Sequence, residues 1–141
     1  MPSVLYNSFK YDNMTGAVDL DGDTFKVMLV TSAYTPNIDA HAKRSDVTNE
    51  VTGTGYTAGG VALASVAVTP DLTNDRVKFS SANASWSTAT ITARGAVIYK
   101  SRGGLASADE LVAYLDFGSD QSSSAGTFTV NCPANGWFYL S

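Results

Sequence analysis

Apolar residues recur at every second position over several short stretches of the chain, which is the periodicity of β-strands. Residues 24–32, TFKVMLVTS, are apolar on both alternating faces and predict a largely buried strand. Residues 61–69, VALASVAVT, predict a strand of small side chains. Residues 88–100, TATITARGAVIYK, predict another strand, in which Gly95 marks a bulge or a close backbone approach.

The pattern continues to the end of the chain. A turn at 70–74 precedes a predicted strand at 75–80, and residues 110–118, ELVAYLDFG, fit a strand or a helix. The polar segment 118–124 predicts a serine-rich turn. Two further strands, GTFTVNC and GWFYLS, flank PANG, whose Asn135-Gly136 pair is typical of a hairpin turn.

The spacing becomes helical only near the N-terminus. Tyr6, Phe9, Lys10 and Asn13 could share one side of a short helix that Gly16 would end. Everywhere else, short β runs alternate with turn signals, which indicates a sandwich or a barrel. We predict an all-β single-domain β-sandwich, jelly-roll or immunoglobulin-like, over residues 1–141. It should contain about seven to eight strands.

Composition narrows the classes of partner. Only 16% of the residues are charged, against about a quarter in an average domain, so the surface must be rich in Thr, Ser, Asn and Gly. The net charge of -4 argues against binding to nucleic acid or to an anionic membrane, which both require clustered Lys and Arg. The N-terminal segment has no basic start and no apolar middle of a signal peptide, so we expect synthesis in the cytoplasm.

The glycine-rich stretch NEVTGTGYTAGG, at residues 49–60, resembles two phosphate-binding motifs only loosely. Gly53, Gly55 and Ala58 fit the G-x-G-x-x-G/A spacing, which is informative only between a strand and a helix. Polar residues precede it, a strand pattern follows it, and there is no Gly-Lys-Ser/Thr. We therefore interpret the glycines as turn residues that supply positive φ where other residues would clash.

Other candidate chemistry is equally weak. Asp19, Asp21 and Asp23 lack the glycine and the final glutamate of a calcium loop, so we expect a solvated turn. The only histidine, His41, lies in a charged loop without a recognisable catalytic partner motif. The single Cys132 cannot form an internal disulfide, and we expect it to be a small buried apolar residue. The sequence thus predicts no enzyme, no metal and no cofactor.

Contacts with other proteins remain as a hypothesis. The loop at 33–57 is unusually long, and residues 1–16 could form an N-terminal contact arm. Trp137, Phe138 and Tyr139 cannot all point to one face of a strand, so either a second part of the chain or a partner must cover one of them. The candidate contact residues are Tyr6, Phe9, Tyr34, His41, Lys43, Arg44, Tyr56, Trp137 and Tyr139.

Several of these segments together resemble a family of small virion proteins of tailed bacteriophages. The resemblance covers about residues 17–100, most of the chain, and its markers are VTSAYTPN, SDVTNEVTGTGYTAGG, NDRV, and Trp86 followed by TARGAVIYK. The resemblance rests on these markers taken together. The family pattern carries no catalytic motif that could be transferred to this chain.

The resemblance implies a structural protein of the virion. The expectation we prefer is a decoration, or cement, protein, which binds the major capsid protein on the outside of the shell. The resemblance also implies that this protein forms a homotrimer. The alternative is a tail or head-fibre component with a host-binding role. Both expectations come from the resemblance, whereas the residues alone indicate an acidic β-domain without a catalytic set.

Overall fold

Two antiparallel sheets face each other in the computed structural model of the chain, which describes residues 1–141. The strands are β1 (Ser3–Leu5), β2 (Phe25–Val30), β3 (Val61–Ala62), β4 (Ala67–Asp71), β5 (Arg76–Ser80), β6 (Ala84–Lys100), β7 (Leu111–Val130) and β8 (Phe138–Leu140). The larger sheet has the order β1-β7-β6-β2-β3, and the smaller has the order β4-β5-β8. The prediction of an all-β, sandwich-like domain is confirmed.

One α-helix, α1 (Asn7–Thr15), follows β1, as the helical spacing near the N-terminus predicted. Gly16 ends it at a φ of 83°, a left-handed conformation that glycine adopts without a Cβ clash. Phe9 is the buried residue of the helix, and its ring meets that of Phe138 edge-on at 5.6 Å between centroids. The helix therefore contacts the smaller sheet through Phe9 and also lies against β7 of the larger sheet.

The main core lies between the two sheets. Phe25 of the larger sheet packs against Phe79 of the smaller one with ring centroids 5.3 Å apart. Phe79 in turn stacks on Phe138 at 5.1 Å. These rings form one buried cluster with the alternating apolar residues of β2, β6 and β7, and burial of such side chains is the main stabilising contribution to the fold.

A second, smaller cluster covers the opposite face of the larger sheet. Met28 and Val97 on that face are buried beneath Tyr34 of the long loop, and Val47 of the same loop packs against the cluster. The loop also includes one short 3₁₀ helix, Arg44–Asp46, and Glu50 of the loop forms an isolated β-bridge with Val30. β2 is thus buried on both faces, which confirms the prediction for residues 24–32.

The longest ladder joins β6, which has 17 residues, to β7, which has 20. Its register shifts between Ala93 and Gly95. A Cβ on Gly95 would lie 2.7 Å from the carbonyl oxygen of Leu115. The predicted bulge or close approach at Gly95 is therefore confirmed, and a side chain there would push the two strands apart.

The prediction of one strand over 61–69 is wrong, because the chain changes sheets there. Residues 61–62 pair with β2, and Ser65 then adopts a φ of 54° before β4 begins in the smaller sheet. Pro70 also lies inside β4 and not in the predicted turn. Proline is tolerated there because β4 is an edge strand.

Two turn predictions in the second half also need correction. The serine-rich segment 118–124 lies within β7, because exposed edge positions of a strand can be as polar as a turn. Asn135 and Gly136 do form a turn, in which the N–H of Gly136 donates to the carbonyl of Pro133 at 2.8 Å. It is not a hairpin, since β7 belongs to the larger sheet and β8 pairs with β5.

Candidate contact surfaces

Four of the aromatic contact candidates lie inside the domain, so the structure corrects their proposed role. Tyr6 and Phe9 are 0% exposed, Trp137 is 2% exposed and Tyr34 is 4% exposed. Trp137 donates from Nε1 to the hydroxyl of Ser81 at 2.8 Å. Their own chain encloses these side chains, so they cannot contact a partner in this conformation. Residues 1–16 are likewise docked on the domain by β1 and Phe9.

His41 ends a buried chain of hydrogen bonds that fixes the long loop. The hydroxyl groups of Tyr6 and Tyr34 are 2.8 Å apart, and the Tyr34 hydroxyl lies 3.0 Å from His41 Nδ1. The backbone N–H of Asn37 also donates to His41 Nδ1, at 3.2 Å. Burial raises the pKa of Tyr6 far above its usual range. The sole histidine is thus a half-buried structural residue of the loop.

Lys43 and Arg44 also act within the chain. Asp109 and Glu110 are consecutive buried acids, 1% and 3% exposed. Asp109 accepts from Arg44 Nε at 2.8 Å. Glu110 accepts from Arg102 and lies 3.6 Å from Lys43 Nζ. This acid pair therefore joins the long loop to the connection between β6 and β7. Arg44 is held within the chain, whereas the side chain of Lys43 remains 42% exposed.

Tyr56 and Glu50 form the second attachment of the loop. The Tyr56 hydroxyl donates to Glu50 Oε2 at 2.6 Å and accepts from the backbone N–H of Leu29 at 2.9 Å. The N–H of Gly59 donates to the same carboxylate oxygen at 2.7 Å. The Tyr99 hydroxyl donates to the Gly59 carbonyl at 2.6 Å, and burial raises the pKa of Tyr99 to about 12. Every group here is engaged inside the domain.

The glycines of residues 49–60 let the loop lie directly on the backbone of the larger sheet. A Cβ on Gly60, where φ is 76°, would lie 1.8 Å from the carbonyl oxygen of Val27. A Cβ on Gly55 would lie 2.7 Å from Ala89 Cα. Such separations are sterically excluded, so only glycine fits without displacing the loop. The interpretation of these glycines as structural turn residues is confirmed.

Tyr139 is the one predicted aromatic candidate that is strongly exposed, at 47%. The guanidinium carbon of Arg76 lies 4.4 Å from the centre of its ring. Arg76 is held by Asp71 at 3.0 Å and donates to the side chain of Asn135 at 2.9 Å. A held arginine over an exposed tyrosine is a rigid amphipathic feature of the kind enriched at protein interfaces.

The most exposed apolar side chains were not among the predicted residues. They are Tyr11, Met14, Leu72 and Leu105. A helical wheel could have found the first two. At about 100° per residue, Tyr11 lies about 200° and Met14 about 140° around α1 from the buried Phe9, so both face away from the core. Leu72 and Leu105 lie in loops, where the hydrophobic period carries no signal.

An apolar groove lies between α1 and the smaller sheet. Val68 and Val77 point to the same side of that sheet as the core residue Phe79, and Val68 packs against the main core. Leu20 and Leu140 also line the groove, together with the polar residues Asn13 and Lys78, and its volume is about 250 Å³. Val77 is 41% exposed, which is high for an inward-facing valine. We refer to this feature as the α1–β5 groove.

Two other grooves are more polar. One, of about 420 Å³, lies along β7 between Phe117 and Phe128 and includes Met1. The other, of about 330 Å³, is lined by Glu50 and mainly by threonine hydroxyl groups, including Thr90 and Thr92. Neither contains a nucleophile paired with a base, which covalent catalysis requires.

No group of His, Cys, Asp and Glu side chains has the arrangement of a metal site. Asp19, Asp21 and Asp23 form a turn, in which Asp23 accepts from the backbone N–H of Asp19 at 2.7 Å and pairs with Lys100 at 2.9 Å. Cys132 is half-buried against the main core and not fully buried as predicted, and burial raises the pKa of its thiol.

Comparison with known proteins adds no assignment. The chain matches no family model, no curated protein and no solved structure. None of its helices is long and apolar enough to span a membrane.

Proposed function

We propose that this chain is a structural protein of a tailed-bacteriophage virion, without enzymatic activity. Its role would be that of a decoration protein that binds the major capsid protein on the outer surface of the shell. The observation that carries the proposal is the exposed α1–β5 groove, which has Asn13 in its lining and the exposed Met14 next along the helix. We take this groove as the candidate contact because contiguous apolar surface, unlike single exposed side chains, marks protein contacts.

The distribution of charged groups supports a binding role that depends on shape. Six ion pairs tie cations to acids of the same chain, and they include both cations of the predicted contact loop, Lys43 and Arg44. The cations outside these pairs are Lys10, Lys26 and Lys78, so little positive charge remains for the recognition of an anionic partner. The resemblance of residues 17–100 to small virion proteins supports the same class of function.

The mechanism would be stabilisation by repeated weak contacts. Burying one leucine-sized side chain in the α1–β5 groove contributes about 1.5–3 kcal/mol. A single such contact is weak, so each copy would need further simultaneous contacts with the lattice, whose effects combine because one molecule makes them. This arrangement requires a stable domain and apolar contact area, and it requires no reaction chemistry.

The deciding experiment is the copy number of the protein in purified virions, measured by quantitative mass spectrometry against the major capsid protein. A ratio near one supports the decoration role. A ratio of a few copies per hundred capsid subunits contradicts it and favours the alternative, a tail or head-fibre component.

A variant tests the groove itself. Val77→Asp places a charge in the α1–β5 groove at a side chain that is already 41% exposed, so the fold should survive. Thr69→Asp places the same charge on the other side of the smaller sheet, because Thr69 alternates with the inward-facing Val68 and Pro70. Co-sedimentation with undecorated capsids should be lost for Val77→Asp and kept for Thr69→Asp. Equal binding by both variants would remove the groove from the proposal.

A further inference from the structure

The outer edge of β7 is the longest uncovered strand edge in the molecule. β1 covers this edge only from Ala113 to Leu115, and the N–H of Asp116 still donates to the carbonyl of Pro2 at 2.9 Å. From Phe117 to Val130, β7 pairs with β6 on one side and with no strand on the other. Such an edge presents every second N–H and C=O group to a further strand.

Bulges divide this edge and leave one regular part. The register of β7 shifts near Gly118 and near Ala125, which have positive φ values of 82° and 48°. Bulges of this kind turn an edge away from partners. A third register shift lies between Gly126 and Phe128, which pair with Ala89 and Trp86, so the pairing with β6 is regular at Phe128, Thr129 and Val130. These three residues make no backbone hydrogen bond outside that ladder. We call residues 126–130 the β7 edge segment.

The groove of about 420 Å³ runs beside this segment. Thr127, Phe128, Thr129 and Val130 all line it, and Phe117 forms another part of its wall. Met1 lines it too, so the groove begins where β1 leaves the edge of β7. A free edge next to a groove for side chains is the arrangement that accepts an added strand.

We propose that the β7 edge segment pairs antiparallel with the same segment of a second copy of this chain, around a two-fold axis. The added strand would run in line with β1, which already uses the same edge in the antiparallel direction. The inference goes beyond the virion role proposed above and does not depend on it. It also differs from the homotrimer that the family resemblance implies.

Charge favours a second copy over a charged partner. Residues 117–132 contain no lysine and no proline, the residues with which proteins usually protect an edge. Their only charged residue is Asp120, which lies outside the β7 edge segment. In a two-fold pairing of residues 126–130, no charge faces a like charge, and each copy presents the same alternating donors and acceptors.

The test is analytical ultracentrifugation over a range of concentrations, combined with hydrogen exchange. The mass should rise from 14.8 kDa towards twice that value, and the amides of residues 126–130 should gain protection as it does. Thr127→Lys with Thr129→Lys places cations opposite one another across the axis and should weaken the dimer at least about tenfold. Thr69→Lys with Thr73→Lys adds the same charge at exposed positions elsewhere and should leave dimerisation unchanged.

Three results would overturn the inference. The first is a monomer at all concentrations, and the second is a trimer. The third is a dimer in which the amides of residues 126–130 stay unprotected, or whose dissociation constant is unchanged by Thr127→Lys with Thr129→Lys. Urea unfolding of both double variants shows whether each is folded. The copy number in virions is measured separately, so failure of this dimer and failure of the virion role are distinguishable.

Discussion

Replacing Gly60 by alanine tests whether the long loop is held by direct contact with the larger sheet. At this position φ is 76°, and an added Cβ would lie 1.8 Å from the Val27 carbonyl oxygen. At Gly103 φ is nearly the same, 79°, but a Cβ would meet nothing within 4 Å. Gly103→Ala therefore measures the conformational cost alone, and its difference from Gly60→Ala measures the contact.

The expected magnitudes follow from what must move. The left-handed conformation costs alanine about 1 kcal/mol at either position. In Gly60→Ala the chain must also lift from β2, which breaks the short pairing of Val27 with Val61 and the bond from Leu63 N–H to Phe25 O. Two or three lost backbone hydrogen bonds at about 1 kcal/mol each bring the total for Gly60→Ala to about 3–4 kcal/mol.

Urea unfolding followed by the fluorescence of the two buried tryptophans gives both free energies of unfolding. Gly60→Ala should lose about 2–3 kcal/mol more than Gly103→Ala, with unchanged denaturant dependence. If the two variants lose the same amount within about 0.5 kcal/mol, the loop does not depend on this close approach. The structural explanation of the glycine-rich stretch would then be refuted.

Three further predictions concern ionisable groups. Asp109→Asn should lower the free energy of unfolding by about 3 kcal/mol, because Arg44 would lose its buried partner, whereas the exposed Asp39→Asn should change it little in the same urea titration. The N–H groups of Ala42 and Lys43 hold the pKa of Asp46 below its usual range. Its contribution to stability is therefore present above the unfolded pKa of about 4 and is lost as pH falls through the lower folded pKa. Asp46→Asn should make acid unfolding below about pH 4 less steep than in the parent chain. The Cys132 thiol, whose pKa burial raises, should react with a disulfide reagent at least about tenfold more slowly in the folded than in the unfolded protein, and equal rates would contradict its half-buried position.

Local features of the fold followed from the sequence because their causes are local. The strand at Phe25–Val30, the helix end at Gly16 and the bulge at Gly95 each depend on a few neighbouring residues. The break within residues 61–69 has a different cause. Val61 and Val68 belong to different sheets, and a uniform pattern of small side chains carries no information about that change of partner.

The contact residues were predicted less well, for a related physical reason. Tyr6 and Tyr34 are aromatic residues in segments without strand periodicity, and the sequence cannot say what covers them. In the structure they cover each other and the outer face of the larger sheet. The exposed Met14, by contrast, could have been found from the helical period alone.

The long loop determines which surfaces remain for a partner. The loop covers the second face of the larger sheet. Its glycines allow it to approach the backbone of that sheet, and its Lys43 and Arg44 attach it to the acid pair Asp109–Glu110. The cations and tyrosines of the loop, which suggested an interface in the sequence, therefore make their contacts within the chain. The uncovered features lie elsewhere, at the α1–β5 groove and at the β7 edge segment. The groove is mainly apolar, with Lys78 as its one charged lining residue, and the edge segment is uncharged. Association of this domain should therefore depend only weakly on salt, and loop substitutions should affect its stability before its binding.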